Sequence, residues 1–586
     1  MNILGISCYY HDSSAALLKD GKIVAAAQEE RFTRKKHDTS FPVNSVEYCL
    51  KSQNLTIKDI DYIAFYEKPL LKFERLLYQH LQYFPKSYKI FLSNMPTWFN
   101  EKLRILKTIK KKLGYKKNVL FIEHHMAHAA GSFFPSPFRK SAIITIDGVG
   151  EWTTTSYGIG EQNKITLLKH INFPHSLGLL YSTITAYLGF SVNNSEYKVM
   201  GLSPYGDTDR KTNIYYNKLN KIIEIKEDGS YKLNIDYFTY SYKNRMPSKK
   251  LCLLLGGEVR NPDEEITQRH KDIAAALQLV YEDALFKIAK HVHKETKCEN
   301  LVIAGGCALN SVANGKILKN SPFKNIWCQP DPGDGGTSIG AALFIWNSLL
   351  NKKRDYVLDN PYLGPKYSDT EIKEFLKDNS IKFSNFENEE ELTKSVSKLI
   401  FEDNVVGWFQ GRMEWGPRAL GSRSILSNPT NPKMQEILNL RVKHREKFRP
   451  FAPVVCEDDA LKYFDCDIPI PRPTDFMLMV YPIKKEWHRK IPSVTHVDGS
   501  GRLQTIRRED NHLYYDLIKE FGKLSKIPIL INTSFNIRGE PIACTPKDAY
   551  RCMMGTGIDY LVMGSFLIKR ENNPKDIWDS EELAKD

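Results

Sequence analysis

Apolar runs separated by short turns at the start of the chain predict a three-stranded β-meander. The runs cover 2–8, 14–18 and 23–27, and the last two are joined by Lys19-Asp20-Gly21-Lys22. An Asp-Gly pair between apolar runs favours a tight hairpin, because both central residues of that turn adopt positive φ. Residues 141–169 repeat this plan. Two similar β units predict a duplicated α/β core with a cleft between its halves.

The rest of the chain alternates between helical and strand-like patterns. Helical periodicity over 266–292 leads into an apolar strand at 300–304, and a second helical stretch covers 433–442. Further short apolar strands are predicted at 405–409, 527–532 and 560–563. Charges and prolines over 351–367 are typical of a linker. We therefore predict two α/β domains, 1–355 and 356–586.

Composition narrows the class of protein. The net charge of +14 favours anionic ligands. In the lysine-rich stretch 102–117, apolar residues recur at helical spacing, so we interpret it as an amphipathic helix in preference to a nucleic-acid patch. No run approaches the ~20 apolar residues of a membrane span, and we expect a cytoplasmic protein. Ten scattered cysteines without a C-x-x-C pair predict reduced thiols.

Side chains near the second β unit have the types and spacing of a metal site. His124 and His128 share one helix face, and Asp147 follows an apolar strand. The alternative is that the histidines are satisfied polar groups and Asp147 is a turn residue. His125 lies on a different face and is the weaker candidate. A later glycine-rich turn adds a carboxylate, Asp334, and two nitrogen and two oxygen ligands suit iron, manganese or zinc.

The second domain has side chains that fit phosphate groups and a carbamoyl amide. Guanidinium forks and an ammonium group bind phosphates, although a surface position is the alternative for each. Arg449 stands in the apolar run 448–453, which suggests burial, and a buried arginine requires an anionic partner. Ser534 and Asn536 follow an apolar strand and offer neutral donors and acceptors. The cationic candidates are Arg418, Lys443, Arg449 and Arg502.

A series of motifs runs through the chain in a fixed order. No P-loop motif is present. The motifs are His11-Asp12-Ser13-Ser14-Ala15-Ala16, Gln28-Glu29-Glu30-Arg31-Phe32, His124-His125-Met126-Ala127-His128, Asp147-Gly148-Val149-Gly150-Glu151, Tyr197-Lys198-Val199-Met200-Gly201, Gly305-Gly306-Cys307-Ala308-Leu309-Asn310, Asp334-Gly335-Gly336-Thr337, Gly411-Arg412-Met413-Glu414-Trp415-Gly416-Pro417-Arg418, Phe448-Arg449-Pro450-Phe451 and Asn532-Thr533-Ser534-Phe535-Asn536. Over nearly the whole chain they resemble the O-carbamoyltransferase family, which includes nodulation-factor, tobramycin and cephamycin enzymes.

The resemblance implies two activities in one chain. The N-terminal part would be a duplicated actin-like ATPase (RNase H-like) domain with a metal site, and the C-terminal part a YrdC-like α/β domain. The second domain is then expected to make carbamoyl adenylate from carbamoyl phosphate and ATP with Mg. The first would transfer the carbamoyl group to a hydroxyl of a small-molecule acceptor.

The resemblance also implies roles for individual residues. Iron becomes the favoured metal, held by His124, His128, Asp147 and Asp334 and clamping the adenylate phosphate. His11 becomes the candidate general base, with an unperturbed pKa near the working pH. The residues expected to bind the nucleotide or adenylate are Lys198, Gly305, Gly306 and Asn310.

Two alternatives stay open at the level of sequence. One is a tRNA threonylcarbamoyl-type transferase, and the other is a non-catalytic nucleotide-binding assembly protein. The acceptor, the native metal and the oligomeric state cannot be predicted, although a homodimer is possible. The aromatic and basic segment 67–117 is where we expect acceptor specificity to reside.

Overall fold

The chain forms two compact units in the computed structural model, which describes residues 1–446 and 448–573. The first unit comprises Met1–Ala25 and Thr39–Leu358. The second comprises Ala26–Asp38 together with the described residues from Asp359 onward. The sequence-based division had assigned 26–38 to the first domain. Within the second unit this segment, which includes helix α1 (Glu30–Thr33), is held by the guanidinium of Arg34, whose Nη1 donates to the Ile542 carbonyl at 2.8 Å.

The first unit is built on two five-stranded sheets that share one plan. In the first sheet the order is β3-β2-β1-β4-β5, with β1 and β2 antiparallel and β1, β4 and β5 parallel. In the second the order is β8-β7-β6-β11-β12, again an antiparallel meander beside two parallel strands. A separate pair, β9 and β10, completes the unit. The predicted duplicated α/β core is therefore confirmed.

The strand bounds are β1 (Asn2–Ser7), β2 (Ser14–Lys19), β3 (Lys22–Gln28), β4 (Tyr62–Phe65), β5 (Asn118–Phe121), β6 (Lys140–Ile146), β7 (Thr153–Glu161), β8 (Lys164–Asn172), β9 (Ile223–Ile225), β10 (Tyr231–Leu233), β11 (Asn300–Ala304) and β12 (Asn325–Trp327). The predicted hairpin is present, with Asp20 at φ 48° and Gly21 at φ 83°. Both central turn residues thus have the positive φ that this tight turn requires.

Helices surround these sheets. They are α2 (Val43–Lys51), α3 (Pro69–Gln82), α4 (Tyr88–Asn100), α5 (Ile105–Leu113), α6 (His124–Phe133), α7 (Leu177–Tyr187), α8 (Glu196–Leu202), α9 (Ile214–Leu219), α10 (Lys249–Leu255), α11 (Gln268–Thr296), α12 (Ser311–Asn320) and α13 (Thr337–Phe344). The amphipathic helix predicted over 102–117 is shorter than expected. It ends at Leu113, because Gly114 adopts the left-handed conformation at φ 67° and closes the helix.

Helices α6 and α13 cross at very short range, and this contact positions the candidate site. A Cβ added at Gly340 would lie 1.8 Å from the Ala127 carbonyl oxygen, so only glycine fits there. Gly131 on α6 faces the same crossing, with the Gly340 Cα 3.2 Å from its own Cβ position. The start of α13 is therefore held close to the histidine-bearing turn of α6.

The second unit is an α/β domain around one mixed sheet of nine strands in the described residues. Its order is β13-β21-β20-β14-β15-β19-β16-β18-β17. The strands are β13 (Ser384–Asn385), β14 (Val406–Phe409), β15 (Arg423–Ser427), β16 (Ala452–Cys456), β17 (Met479–Pro482), β18 (Ser500–Ile506), β19 (Ile529–Ser534), β20 (Tyr560–Met563) and β21 (Phe566–Lys569). The helices are α14 (Asp369–Asp378), α15 (Glu389–Phe401), α16 (Met434–Ile437), α17 (Glu457–Tyr463), α18 (His512–Ser525) and α19 (Pro546–Met554).

Hydrophobic burial holds α15 and α18 against this sheet. Val396 and Ile400 of α15 and Phe521 of α18 pack with Trp408 and Leu530 of the strands in one fully buried cluster. The helical pattern predicted over 433–442 is present as α16 followed by a wider helical turn over Leu438–Val442.

Two simpler predictions concern thiols and membranes. All ten cysteines are free, as expected from their scattered positions. Among the helices of the described residues, none combines the length and the apolar content needed to cross a membrane.

Candidate active site

The first turn of α6 is fixed by the buried carboxylate of Glu151, which lies in the connection between β6 and β7. The Glu151 carboxylate accepts hydrogen bonds from the backbone N–H of His124, at 3.1 and 3.2 Å, and from that of Lys68, at 2.8 Å. The residue before the helix, Glu123, makes no capping bond with its side chain. Glu151 therefore stabilises the helix start, where backbone N–H groups lack partners and the dipole favours negative charge.

The two aspartates reach the same place from the ends of other elements. Asp147 follows β6, and its Oδ1 accepts a hydrogen bond of 2.9 Å from the backbone N–H of Gly306. Gly305 has φ 90°, and a Cβ there would lie 2.2 Å from the Ile146 carbonyl oxygen. Asp334 stands at the turn that leads into α13. The Gly-Gly loop thus orients Asp147, while the α6–α13 crossing brings in Asp334.

All four predicted ligands come together in a buried cluster. Their ligand atoms lie within 4.8 Å of one another. His124 Nε2 is 3.2 Å from Asp147 Oδ2 and 3.1 Å from His128 Nε2. Asp334 Oδ1 is 3.5 Å from the Nε2 atoms of both histidines. No residue of the cluster is more than 5% exposed.

The cluster fits a divalent transition metal. Neither carboxylate oxygen of Asp334 accepts a hydrogen bond from the described residues, although both are buried. Burial alone would raise the pKa of both carboxyls, but the histidines hold those pKa values below their usual range. Two buried carboxylates facing two imidazole nitrogens form the mixed oxygen and nitrogen set that iron, manganese or zinc accepts.

His125 lies outside this cluster. Its Nδ1 is 2.7 Å from Thr145 Oγ1. Burial lowers its pKa to about 3, with the neighbouring His124 and His128 contributing further. His125 is therefore a neutral imidazole packed against β6, as its different helix face had indicated.

His11 stands beside the cluster on a loop with unusual backbone geometry. Tyr9 and Asp12 have φ values of 71° and 53°, which are rare for residues with side chains and are often found at functional sites. His11 Nδ1 is 2.8 Å from Asp12 Oδ2, and Nε2 is 3.9 Å from Asp334 Oδ2. Burial would lower the pKa of His11, but Asp334 and Asp12 raise it to about 10. The role of His11 as a general base therefore depends on how the charge of Asp334 is balanced.

The predicted nucleotide residues lie on three elements of the first unit. Lys198 is on α8, with Nζ 5.8 Å from the centre of the Phe190 ring. Gly306 follows β11 and holds Asp147. The amide of Asn310 is engaged, because its Oδ1 accepts from the Ala313 N–H that begins α12 and its Nδ2 donates to Gln278 Oε1 at 2.9 Å.

In the second unit, three predicted residues are in direct contact. Lys443 is 3% exposed, and its Nζ donates to Asn536 Oδ1 at 2.9 Å, to the Asn536 carbonyl at 3.0 Å and to the Ser534 carbonyl. Burial holds the pKa of Lys443 well below its usual range, and the charges of Arg445, Arg449 and Lys36 lower it further. This cationic cluster is the arrangement expected of a phosphate site.

The other predicted arginines occupy different elements of the second unit. Arg449 is largely buried, with Nη1 3.6 Å from Glu446 Oε2. Arg418 is half-buried in the connection between β14 and β15. Arg502 is half-buried on β18; burial lowers the pKa of His496 to about 4, and the charge of Arg502 lowers it further.

Sequence reasoning missed several residues that shape these sites. Glu414 is buried and accepts hydrogen bonds from the backbone N–H groups of Leu420, Ser422 and Arg423, so it fixes the arginine-rich loop. Lys36 belongs to the 26–38 segment, and nothing in its charged surroundings in the sequence distinguished it from a surface lysine. Glu151 stood inside a quoted motif, but a capping role between distant segments leaves no local pattern.

Comparison with known proteins decides the family. A family model described as the carbamoyltransferase N-terminus matches residues 2–343, and one described as the carbamoyltransferase C-terminus matches 397–570. The chain belongs to the carbamoyltransferase family. This carbamoyltransferase is 46% identical to the protein sll1178 of Synechocystis sp., over 98% of this chain and 97% of that one. It is 35% identical to the nodulation protein NolNO of Sinorhizobium fredii, over 97% of this chain and 80% of that one.

Solved structures give weaker likenesses. HypF of T. kodakarensis aligns with a TM-score of 0.32 and 14% identity, covering 60% of the carbamoyltransferase and 48% of HypF. The Acidaminococcus fermentans (R)-2-hydroxyglutaryl-CoA dehydratase component A aligns with a TM-score of 0.30 and 14% identity, covering 59% and 97% of the two chains.

Proposed function

We propose that this carbamoyltransferase is an ATP-dependent O-carbamoyltransferase with two successive reactions. In the first, carbamoyl phosphate, water and ATP give carbamoyl adenylate, phosphate and pyrophosphate. In the second, a hydroxyl of a small-molecule acceptor attacks the carbamoyl carbon, the bond to the adenylate phosphate breaks, and a carbamate ester and AMP leave. The acceptor would be a sugar, an antibiotic or another natural-product intermediate, and cytoplasmic ATP with Mg would be the co-substrate.

The buried cationic cluster of the second unit supports adenylate formation there. Lys443 is buried among Arg445, Arg449 and Lys36, whose charges lower its pKa, so a bound anion would stabilise the protonated lysine in addition to the Arg449–Glu446 pair. Carbamoyl phosphate and the triphosphate of ATP are multiply charged anions of this kind. Ser534 and Asn536, held by the Lys443 ammonium, would present neutral hydrogen-bonding groups to the carbamoyl amide.

The buried ligand cluster of the first unit is the observation that carries the transfer step. We propose that His124, His128, Asp147 and Asp334 hold a divalent transition metal, with iron favoured and manganese or zinc possible. When bound, the metal would neutralise the adenylate phosphate and polarise the carbamoyl group as a Lewis acid. Lys198, Gly305, Gly306 and Asn310 would contact the nucleotide part.

His11 would take the proton of the acceptor hydroxyl. Asp12 orients the ring through Nδ1, which leaves Nε2 as the atom that accepts the proton. Its raised pKa is due chiefly to Asp334, and a cation held by Asp334 would offset that charge. His11 then reaches the neutral form that a general base requires.

Two substitutions separate the proposed reactions. Arg449→Ala should abolish pyrophosphate release from carbamoyl phosphate and ATP. His11→Ala should retain pyrophosphate release but lose carbamate formation. Arg508→Ala is the matched control, because Arg508 is an exposed arginine of the second unit that pairs with Asp516. If Arg449→Ala and His11→Ala lose the first reaction alike, the assignment of reactions to units is wrong.

A further inference from the structure

Arg75 of α3 is a buried cation that forms no ion pair with the described residues. Its residue is 7% exposed, and no carboxylate of the described residues lies within 4.0 Å of the guanidinium. The recorded contacts are a hydrogen bond of 3.4 Å from Nη1 to Gln79 Oε1 and stacking at 4.9 Å over the Phe173 ring. Nε is buried without a hydrogen-bond partner in the described part of the chain. An arginine is rarely buried in this state without a ligand.

The nearby acidic groups are already engaged. Glu67 pairs with Lys72 at 2.5 Å, so these two charges cancel. Glu151 is occupied by the N–H groups at the start of α6 and of α3, as described above. Lys102 adds a second cation near Lys72, and within the described residues no carboxylate lies within 4.0 Å of it. The two carboxylates whose charges act on Arg75, Glu67 and Glu151, are therefore both engaged by other groups.

Arg75 is close to the proposed transfer site. The backbone N–H of Lys68, just before α3, and that of His124 donate to the same Glu151 carboxylate, so α3 begins beside the ligand cluster. Tyr10 is the neighbour of His11 in the chain, and Lys72 Nζ lies 5.1 Å from the centre of the Tyr10 ring. A molecule that presents a hydroxyl to His11 could therefore extend past Tyr10 to the guanidinium.

Arg75 lies on α3, which is not one of the elements that carry the residues proposed to bind the nucleotide. Both halves of the duplicated core have two parallel strands beside a meander. In the second half the strands β11 and β12 are joined through a short 3-10 turn and one α-helix, α12. In the first half the connection from β4 to β5 carries three helices, α3, α4 and α5. Because the core does not require this insertion, its buried cation is suited to a partner that differs between enzymes.

We propose that Arg75 binds an oxyanion of the acceptor, so that this enzyme carbamoylates hydroxylated molecules that carry a carboxylate or a phosphate ester. The inference rests on the proposed function, because it assumes that a hydroxyl is brought to His11. It makes Arg75 a specificity-determining residue. The guanidinium would fix the acidic end of the acceptor through bidentate hydrogen bonds.

The test measures binding by isothermal titration calorimetry to the metal-loaded full-length protein. The probes are D-glucuronate, glucose 6-phosphate and neutral D-glucose, which distinguish a carboxylate from a phosphate ester. The wild type should bind at least one acidic probe roughly 10-fold to 100-fold more tightly than glucose, the range of a hydrogen-bonded charge. Arg75→Gln should remove this preference, Arg75→Lys should retain part of it, and the exposed Arg104→Gln should leave it unchanged.

Two results would overturn the inference. They are the absence of acidic preference in the wild type and its retention in Arg75→Gln. If Arg75→Gln retains the preference but loses AMP binding, Arg75 belongs to the donor site. Pyrophosphate release is measured in parallel on the same samples. If the wild type releases none, the proposed function fails, whereas the binding preference is judged independently.

Discussion

The capping role of Glu151 gives a prediction whose size can be worked out from the structure. Glu151→Gln keeps the shape of the side chain and one oxygen acceptor. Oε1 accepts from both Lys68 and His124, so an amide oxygen at that position retains two hydrogen bonds without the charge, while the hydrogen bond from the His124 N–H to Oε2 is lost. Hydrogen bonds to charged groups contribute about 1.5–3 kcal/mol each, and neutral ones about half of that.

The expected loss in the free energy of unfolding of the first unit is therefore about 2–3 kcal/mol. For a unit of this size the loss corresponds to a decrease in Tm of roughly 3–4 °C. Since Glu151 fixes the turn that carries His124, metal affinity should also fall by about 10-fold to 100-fold, as is usual for residues that orient ligands. Differential scanning calorimetry and metal titration of the chelated protein measure the two effects.

The matched control is Glu161→Gln, because Glu161 is an exposed glutamate of β7 that pairs with Lys140. Exposed pairs of this kind contribute about 0–1 kcal/mol, so the control should leave Tm and metal affinity nearly unchanged. Glu151→Gln with the Tm and metal affinity of the control would refute the reasoning. The carboxylate would then not be what holds the start of α6.

Three further predictions concern both units. His128→Ala should remove the bound metal measured by mass spectrometry of the purified protein, whereas the exposed His170→Ala should retain it; equal metal content in both would reject the assigned ligands. Lys443→Met should reduce pyrophosphate release by at least about 100-fold, while the exposed Lys394→Met should not. Burial raises the pKa of Asp475 from 3.8 to about 7, so its contribution to folding is complete below 3.8 and is lost as the pH rises to 7. The free energy of unfolding, measured by chemical unfolding, should therefore fall less between pH 3.8 and 7 in Asp475→Asn than in the wild type, by at most about 4 kcal/mol. Equal pH dependence of the two proteins would contradict this.

Local patterns were sufficient where a short segment determines its own structure. The Asp20-Gly21 hairpin and the strands at 300–304 and 560–563 were predicted within a residue of their observed bounds, because turn preference and apolar length are local properties. The glycine-rich turn offered Asp334 as a further carboxylate ligand, but no local pattern determines its proximity to His124. That proximity depends on the Gly340 contact between α6 and α13, and such a crossing leaves no periodicity in the sequence.

Interactions between distant segments account for what could not be predicted. The assignment of 26–38 to the second unit depends on Arg34 reaching the carbonyl of Ile542, more than 500 positions later. The raised pKa of His11 requires the position of Asp334, and the lack of an ion pair at Arg75 requires knowing that Glu67 is already paired with Lys72. In each case the residue type was visible, but its partner was not.

Detection of the intermediate tests the central claim most directly. The full-length protein would be incubated with carbonyl-labelled carbamoyl phosphate and ATP without an acceptor, then quenched and examined by mass spectrometry. Our account predicts a labelled carbamoyl group attached to AMP, together with pyrophosphate in equal amount. If ATP is instead converted to ADP and the label is found only in carbamate, carbamoyl adenylate is not formed and the proposed mechanism is contradicted.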